Sequence, residues 1–582
     1  MSVNPLFLGR QIVNAIATTT AHVREDRVFF GMQLARRLPS SASRTVGRLL
    51  NRLPGPASRT AAAWLLGQES HARELVCEYE EARPSRLLGE IALNLGQLEP
   101  AARIADRIAN GSSLRSRILW SDGHIDDAIS ALSKGGRRRR LVAEKQSLEP
   151  GWWPEVPSGA LPDRSLNGHG SALPTSLHVL TNSLPHTRSG YAYRSHLILR
   201  TLRDAGHSVV AATRPSYPMT IGRLSPTPVE SVDGVDYLRH VPLLPTDTPT
   251  ARLSEQASWI AGQVSERGVE VLHTTTHYVN GLATGAAARA MGIPWVYEVR
   301  GVLEETWAAA GGGDAARAAR RASQRFAMMR EKEIEVARAA DAVITLGETM
   351  REHLIANGVP ADTITLIPNS VSETVVGADV TRSPAEVRAE LGLPTDGIWV
   401  GTAASIVGYE GLDDLVEAVA IARNQGVDLR LLIAGDGVAL PTLRERAAVL
   451  GDSAVFTGRV SQTSAIEYQL ALDAIVVPRK NEPVCRLVTP IKPIEAMGLG
   501  RPIIFSDLPA LRELVPCNAG VVVPAEDPES LALELMGIAG NEQLRRAMGA
   551  AGRTHVLENR RWKTVGSRYS NLYSNLLAQV PQ

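Results

Sequence analysis

The spacing of apolar positions divides the chain into two kinds of sequence. From its start to about residue 135, apolar residues recur at helical intervals in stretches rich in Ala, Leu and Arg, and no run reads as a strand. Two of these stretches, Ala63-Trp64-Leu65-Leu66-Gly67 and Ile91-Ala92-Leu93-Asn94-Leu95-Gly96, end on glycine. Gly67, Gly96 and Gly123 are each followed five residues later by alanine, at Ala72, Ala101 and Ala128. A glycine that permits the turn and a small residue that lets the next helix approach predict successive helical hairpins. From Ser176 the rhythm changes to short Val- and Ile-rich runs alternating with amphipathic helices. Strands are expected at 178–180, 208–211, 269–273, 294–298 and 342–345. After a break near Pro384 they resume at 398–402, 431–434, 455–456, 474–478, 502–506 and 520–523.

Apolar strands that each lead into a helix are what a parallel sheet covered on both faces requires. The expected fold is therefore α/β: two doubly wound, Rossmann-like lobes preceded by an all-α region. The boundaries fall at 1–135 for the helical region, 136–173 for a linker, 174–380 for the first lobe and 381–560 for the second. The last stretch, 561–582, reads as a helix that returns to the first lobe. The helical units recur at intervals of 29 and then 27 residues. They resemble tetratricopeptide repeats of shortened period, with an irregular helical bundle as the alternative.

Composition narrows the classes of function. Hydrophobic residues are 44% and charged residues 21%, enough to bury a core in each domain. Lys plus Arg (62) nearly cancel Asp plus Glu (61), which gives no support to a nucleic-acid partner. Three scattered cysteines, Cys77, Cys485 and Cys517, suit neither a disulfide framework nor a zinc cluster. No signal peptide or spanning segment is read, so the protein is expected in the cytosol, or at the inner face of a membrane it does not cross. The run Arg137 to Arg140 opens the linker, which is rich in Pro, Gly and Trp. It reads as a solvated junction, with contact to acidic lipid headgroups or a phosphorylated acceptor as the alternative.

The richest chemistry follows the run Ala474 to Pro478. Arg479 stands at the carboxyl end of that strand, and Thr489-Pro490 predicts the start of a helix that carries Lys492 and Glu495. A cation in a first helical turn opposes the dipole unless an anion lies against that end. Arg479 and Lys492 are thus candidates to stabilise a departing nucleotide diphosphate, with Glu495 to accept two ribose hydroxyls. The alternative is that Lys492 and Glu495 satisfy each other on a surface helix.

Several motifs in order resemble glycosyltransferase family 4, retaining enzymes of GT-B fold. Ser189-Gly190-Tyr191 is similar to the family's glycine loop facing the diphosphate, and Gly206-His207-Ser208-Val209 to its G-H-x-V. Glu298-Val299-Arg300-Gly301 stands where many members have D-x-H-G, and Ile367-Pro368-Asn369-Ser370-Val371 resembles I-P-N-G-V. Ala434-Gly435-Asp436-Gly437, Phe456-Thr457-Gly458 and Glu495-Ala496-Met497 match in the second lobe. Two departures stand out. Where the family often has G-R-L-x-x-x-K-G, Ser405 and Glu410 replace both cations, and the position eight before Glu495 is Leu487.

The resemblance implies sugar transfer from a nucleotide-diphosphate sugar to a glycan or lipid-linked hydroxyl with retention, no metal and no further cofactor. It implies donor contacts at Ser189, Gly190, Arg300, Ser405, Thr489 and Glu495. The family's first-lobe histidine falls by count on Thr275, so His273 and His277 on either side are both candidates to line the reacting sugar; Glu304 follows on the same cleft as Arg300. A protein partner could engage the N-terminal helices. Two other classes stay open, a non-catalytic nucleotide-sugar-binding scaffold and a GT-B epimerase.

Overall fold

The computed structural model describes residues 3–35, 40–109, 111–157 and 173–579. Residues 4–148 within these are helical, without a strand among them. Gly67, Gly96 and Gly123 all adopt positive φ at the turns between helices. Ala72, Ala101 and Ala128 are fully buried where the following helix meets the preceding one. The expected linker is different in its first third. Residues Gly136–Leu148 form a helix that carries Arg137 to Arg140, and Arg140 pairs with Glu25. Beyond it Trp152 and Trp153 pack on the first lobe, where the Arg289 guanidinium lies 3.9 Å from the Trp153 ring centre. An arginine run is therefore structured here, because helix Gly136–Leu148 buries Leu141, Ala143 and Leu148 against its neighbours. Pro162 and the rest of 158–172 lie outside the described residues.

The first lobe is an eight-stranded sheet. Its strands are β1 (Ser176–Leu180), β2 (Val209–Thr213), β3 (Val229–Val232), β4 (Val235–Leu238), β5 (Val271–Thr275), β6 (Trp295–Val299), β7 (Ala342–Thr345) and β8 (Ile364–Leu366). The spatial order is β3-β4-β2-β1-β5-β6-β7-β8, parallel except for the β3–β4 hairpin. That hairpin was not expected, although Asp233-Gly234, both at positive φ, is a strong two-residue turn signal. The second lobe has β9 (Ile398–Ala403), β10 (Leu429–Ala434), β11 (Ala454–Gly458), β12 (Ala474–Val477), β13 (Ile503–Ser506) and β14 (Gly520–Val523). All are parallel, in the order β11-β10-β9-β12-β13-β14.

In each sheet the chain reverses its direction of winding beside the first strand, between β1 and β5 and between β9 and β12. Ligands of open parallel sheets bind beyond the carboxyl ends of the strands at such switch points. The last helix, Trp562–Ala578, crosses back and seals one face of the first sheet with buried Trp562, Val565, Tyr569 and Tyr573. The two chain crossings between lobes run side by side, with Val371 N–H donating to Arg560 O at 2.8 Å.

Candidate active site in the interlobe cleft

In the second lobe the loop after β9 ends in a short turn, Gly408–Glu410. Gly411 follows at φ 68° and lies so close to the Pro478 carbonyl that a Cβ there would collide with it. This approach brings Glu410 beside Arg479, just past β12. Arg479 donates to Val488 O at 2.9 Å and to Glu410 Oε1 at 3.3 Å, while Lys492 Nζ donates to Glu410 Oε2 at 2.6 Å. Burial pushes the Glu410 carboxyl up, but Arg479 and Lys492 outweigh it and hold it at about 2. The Nε of Arg479 is buried and has no partner among the described residues. Glu410, which replaces a family cation in sequence, thus sits between two others in space.

The helix expected from Thr489 starts later, at Lys492, with Ile491 before it and no side-chain cap. Thr489 is buried and its carbonyl accepts from Asn369 Nδ2 at 3.2 Å. Because Lys492 turns to Glu410, Glu495 is left without a side-chain hydrogen bond among the described residues. Burial raises its carboxyl to about 7 against the pull of Lys492. Leu487, at the place of the family's other glutamate, ends the short helix Pro483–Leu487. Ser405 is exposed on the loop after β9.

In the first lobe, Ser189 caps the helix Gly190–Asp204, its Oγ accepting from Ala192 N–H at 3.3 Å. Both Ser189 and Gly190 are exposed, and the space where a Gly190 Cβ would stand is open. Beside them a cavity of about 300 Å³ opens at the ends of β1, β5 and β6, lined among others by Asn182, Thr275, Thr276, His277 and Arg300. Arg300 reaches it with a guanidinium already engaged by Glu298 Oε2 (2.8 Å), Ser195 Oγ (2.8 Å) and the Tyr191 carbonyl (3.3 Å). Its buried Nε has no partner among the described residues. Glu298 also accepts from Arg194 at 2.6 Å; burial raises its carboxyl, but Arg300 and Arg194 prevail and hold it well below the ordinary range. Glu304 is buried in the next helix, where desolvation raises it to about 7 and its Oε2 has no partner among the described residues.

The two candidate histidines separate. His273 is fully buried, with Nδ1 2.7 Å from Tyr573 Oη, Nε2 3.2 Å from Glu298 and its ring stacked on His178 at 4.5 Å. As a reacting-site residue it is therefore corrected: the last helix covers it, and both ring nitrogens are spent inside the lobe. His277 lines the cavity. Its Nδ1 accepts from Val279 N–H at 3.4 Å, which leaves the ring proton on Nε2. Burial first, and Arg214 second, lower it to about 4, so the ring is neutral near pH 7.

Across the cleft the lobes touch. Asn369 accepts from Arg194 at 3.0 Å on one side and donates to Thr489 O on the other. Tyr191 lies in the field of both Arg300 and Arg479. Glu482 of the second lobe pairs with Arg317 (2.7 Å) and Arg321 of the first. Sequence reasoning placed Asn369 in a family motif without a role in the cleft, and read Glu410 only as a lost cation. The signal for the latter was the Glu410-Gly411 step, whose glycine permits a close backbone approach.

Two doubly wound lobes with facing switch points, one bearing the Arg479–Lys492 cation pair, define the two-lobed GT-B class of transferases. Profiles for a "Glycosyl transferase 4-like domain" and for "Glycosyl transferases group 1" match residues 189–370 and 396–541, together more than half of the chain. A GDP-mannose-dependent monoacylated α-(1-6)-phosphatidylinositol monomannoside mannosyltransferase of Corynebacterium glutamicum is 29% identical over 205 residues, 34% of this chain and 54% of that protein. A D-inositol 3-phosphate glycosyltransferase of Streptomyces griseus is 26% identical over 386 residues, 62% of this chain and 79% of that protein. Among solved structures, a sucrose-phosphate synthase of Thermosynechococcus elongatus shares the fold (TM-score 0.56, 21% identity, 69% of this chain, 99% of that one). The match thus spans about half of the corynebacterial relative and most of the streptomycete one. The chain belongs to the family-4-like glycosyltransferases of GT-B fold.

Proposed function

We propose that this chain moves a sugar from a nucleotide-diphosphate sugar to a hydroxyl of a glycan or lipid-linked acceptor, with retention at the anomeric carbon. The observation that carries the reading is the Glu495 carboxyl, without a side-chain hydrogen bond among the described residues and one helical turn from Lys492, whose amine shares Glu410 with Arg479. Glu495 accepts the ribose hydroxyls, while the buried Arg479 and the half-buried Lys492 meet part of the charge of the diphosphate. Gly190, with open space before it, lets backbone N–H groups of the first lobe approach the same diphosphate.

The acceptor lies in the first-lobe cavity with His277 Nε2–H as a neutral donor at its wall. The anomeric C–O bond to phosphate breaks, the acceptor oxygen bonds to that carbon on the same face, and its proton passes to the leaving diphosphate. Closure of the lobes, with Glu482 against Arg317, keeps water from the donor. In this reading the protein works at the inner face of a membrane.

Purified protein would be screened by thermal shift against UDP, GDP, ADP and their sugar conjugates, beside the Arg479→Ala/Lys492→Ala variant. Stabilisation by one nucleotide series, lost in the variant, is expected, and NMR of the product would then give the anomeric configuration. No shift with any nucleotide would sink the reading in favour of a scaffold, to which Glu410, neutralising part of the cation pair, lends its support.

A further inference from the structure

The helix Pro5–Glu25 turns two polar side chains, with Phe7, toward the first lobe and leaves several large apolar ones outside. Gln11 and Asn14 are buried. Gln11 exchanges two hydrogen bonds with the backbone of Ser225 (2.7 and 2.9 Å), and Asn14 Nδ2 donates to Pro242 O at 3.2 Å. The outward face carries Leu6 (83% exposed), Ile12, Val13 and Ile16 (61%). The two first-lobe loops that grip the helix present apolar side chains next to the gripping residues. Leu224 precedes Ser225, and Leu243 (67%) and Leu244 (63%) follow Pro242. One exposed apolar patch thus spans three segments, and a patch of this kind marks an interaction surface.

Charge selects the partner. Residues 3–24, 218–226 and 239–246 contain no Asp or Glu. Arg10, Arg24 and Arg223 are exposed on them, and none forms an ion pair among the described residues. The exposed Arg138 and Arg139 adjoin, since Arg140 of the same helix pairs with Glu25 at the end of the first. No helix among the described residues is long and apolar enough to cross a membrane. An apolar stripe flanked only by arginines is the pattern of a helix that lies in the interface plane of an anionic bilayer.

We propose that the outer face of Pro5–Glu25, with Leu224, Leu243 and Leu244, docks this protein on an anionic lipid bilayer. Its apolar side chains enter the acyl boundary and its arginines meet phosphate headgroups. Docking also orients the cleft. Ser216, whose hydroxyl donates to Asn14 Oδ1 at 3.1 Å, lies three residues past β2, the strand paired with β1, whose carboxyl end leads into Thr181 and Asn182 of the cavity wall. A lipid-linked acceptor, in the reading proposed above, could then enter the cavity with its tail still in the bilayer.

The test is sedimentation of the full chain with vesicles of phosphatidylcholine alone, or of phosphatidylcholine and phosphatidylglycerol in equal parts. Pelleting is expected with the anionic vesicles only, weakening as salt rises. Val13→Glu with Ile16→Glu should lower the partition at least about tenfold, and Arg10→Ala about fivefold. A Leu244→Trp chain, which leaves the helix intact, should show a blue shift of indole emission on anionic vesicles. Failure to pellet with either vesicle, or pelleting that the helix substitutions leave unchanged, would overturn the proposal. So would a wild-type dimer in light scattering that Val13→Glu with Ile16→Glu converts to a monomer, since the patch would then bind a second copy. Nucleotide thermal shifts run on the same variants separate this outcome from failure of the proposed transfer.

Discussion

Glu410 Oε2 accepts a hydrogen bond from Lys492 Nζ at 2.6 Å. The pair joins the loop after β9 to the helix after β12, and Arg479 completes it from the strand between. The site is thereby preorganised: two cations are held at the switch point by one carboxylate, with one positive charge left over for an anion.

Removing that carboxylate leaves a buried arginine unpaired, which costs about 3–5 kcal/mol. Glu410→Ala should accordingly lower the unfolding free energy by about 3 kcal/mol in denaturant titration, with Glu410→Gln closer to wild type. The folded carboxyl is depressed from 4.5 to about 2, so its stabilisation is present above pH 4.5 and is lost as pH falls toward 2. Stability curves of wild type and Glu410→Gln should converge across that window; curves that stay parallel would contradict the pairing.

Arg479→Ala and Lys492→Ala should each reduce kcat/KM for transfer by about 10²–10³, as expected when one stabiliser of a leaving group is removed. Initial rates with the donor found by thermal shift measure this. A loss confined to KM would mean that the cations hold the ground state alone.

Glu495 is raised to about 7 by burial, so it gains its charge in the neutral range. Because the folded state holds this proton more tightly than the unfolded one, stability without ligand should decline as pH rises from 4.5 to about 7. Donor affinity should move the other way, rising through the same range as the carboxylate forms to accept ribose hydroxyls. Titration calorimetry across pH should show that rise in wild type and a flat profile in Glu495→Gln.

The two histidines give opposite signatures. His277→Ala should lower kcat about tenfold or more with little change in melting temperature. His273→Ala, which removes a buried ring and two hydrogen bonds, should cost about 3 kcal/mol of stability while kcat per folded molecule holds. The reverse pattern would place the reacting sugar on the wrong side of β5.

Glu482→Ala removes the carboxylate shared by Arg317 and Arg321 across the cleft. Pairs at the rim of a cleft, here largely but not fully buried, contribute about 1 kcal/mol. The expected result is a small shift toward the open form, read as a larger radius of gyration in X-ray scattering and faster donor hydrolysis.

The two lobes were legible because a parallel sheet buried on both faces demands unbroken Val and Ile runs, as in Ala474–Val477 and Ile503–Ser506. The β3–β4 strands escaped because Val229–Val232 alternates exposed and buried positions and is short, so its apolar pattern is weak beside a clear turn. The linker reading failed for 136–148 because four arginines mask the helical face of Leu141, Ala143 and Leu148.

By itself the sequence determined the helical region, both lobes and the residue types at the donor end: Arg479, Lys492 and Glu495 lie close together along the chain, and a strand-to-helix connection places them locally. Tertiary structure decided what those groups do to one another. Glu410 arrives from about 70 residues away through a backbone contact at Gly411, and His273 is withdrawn from the cleft by a helix 300 residues further on. Periodicity reports which face of an element is apolar; it carries no information about which distant element covers that face, and that covering sets burial, partner and protonation state.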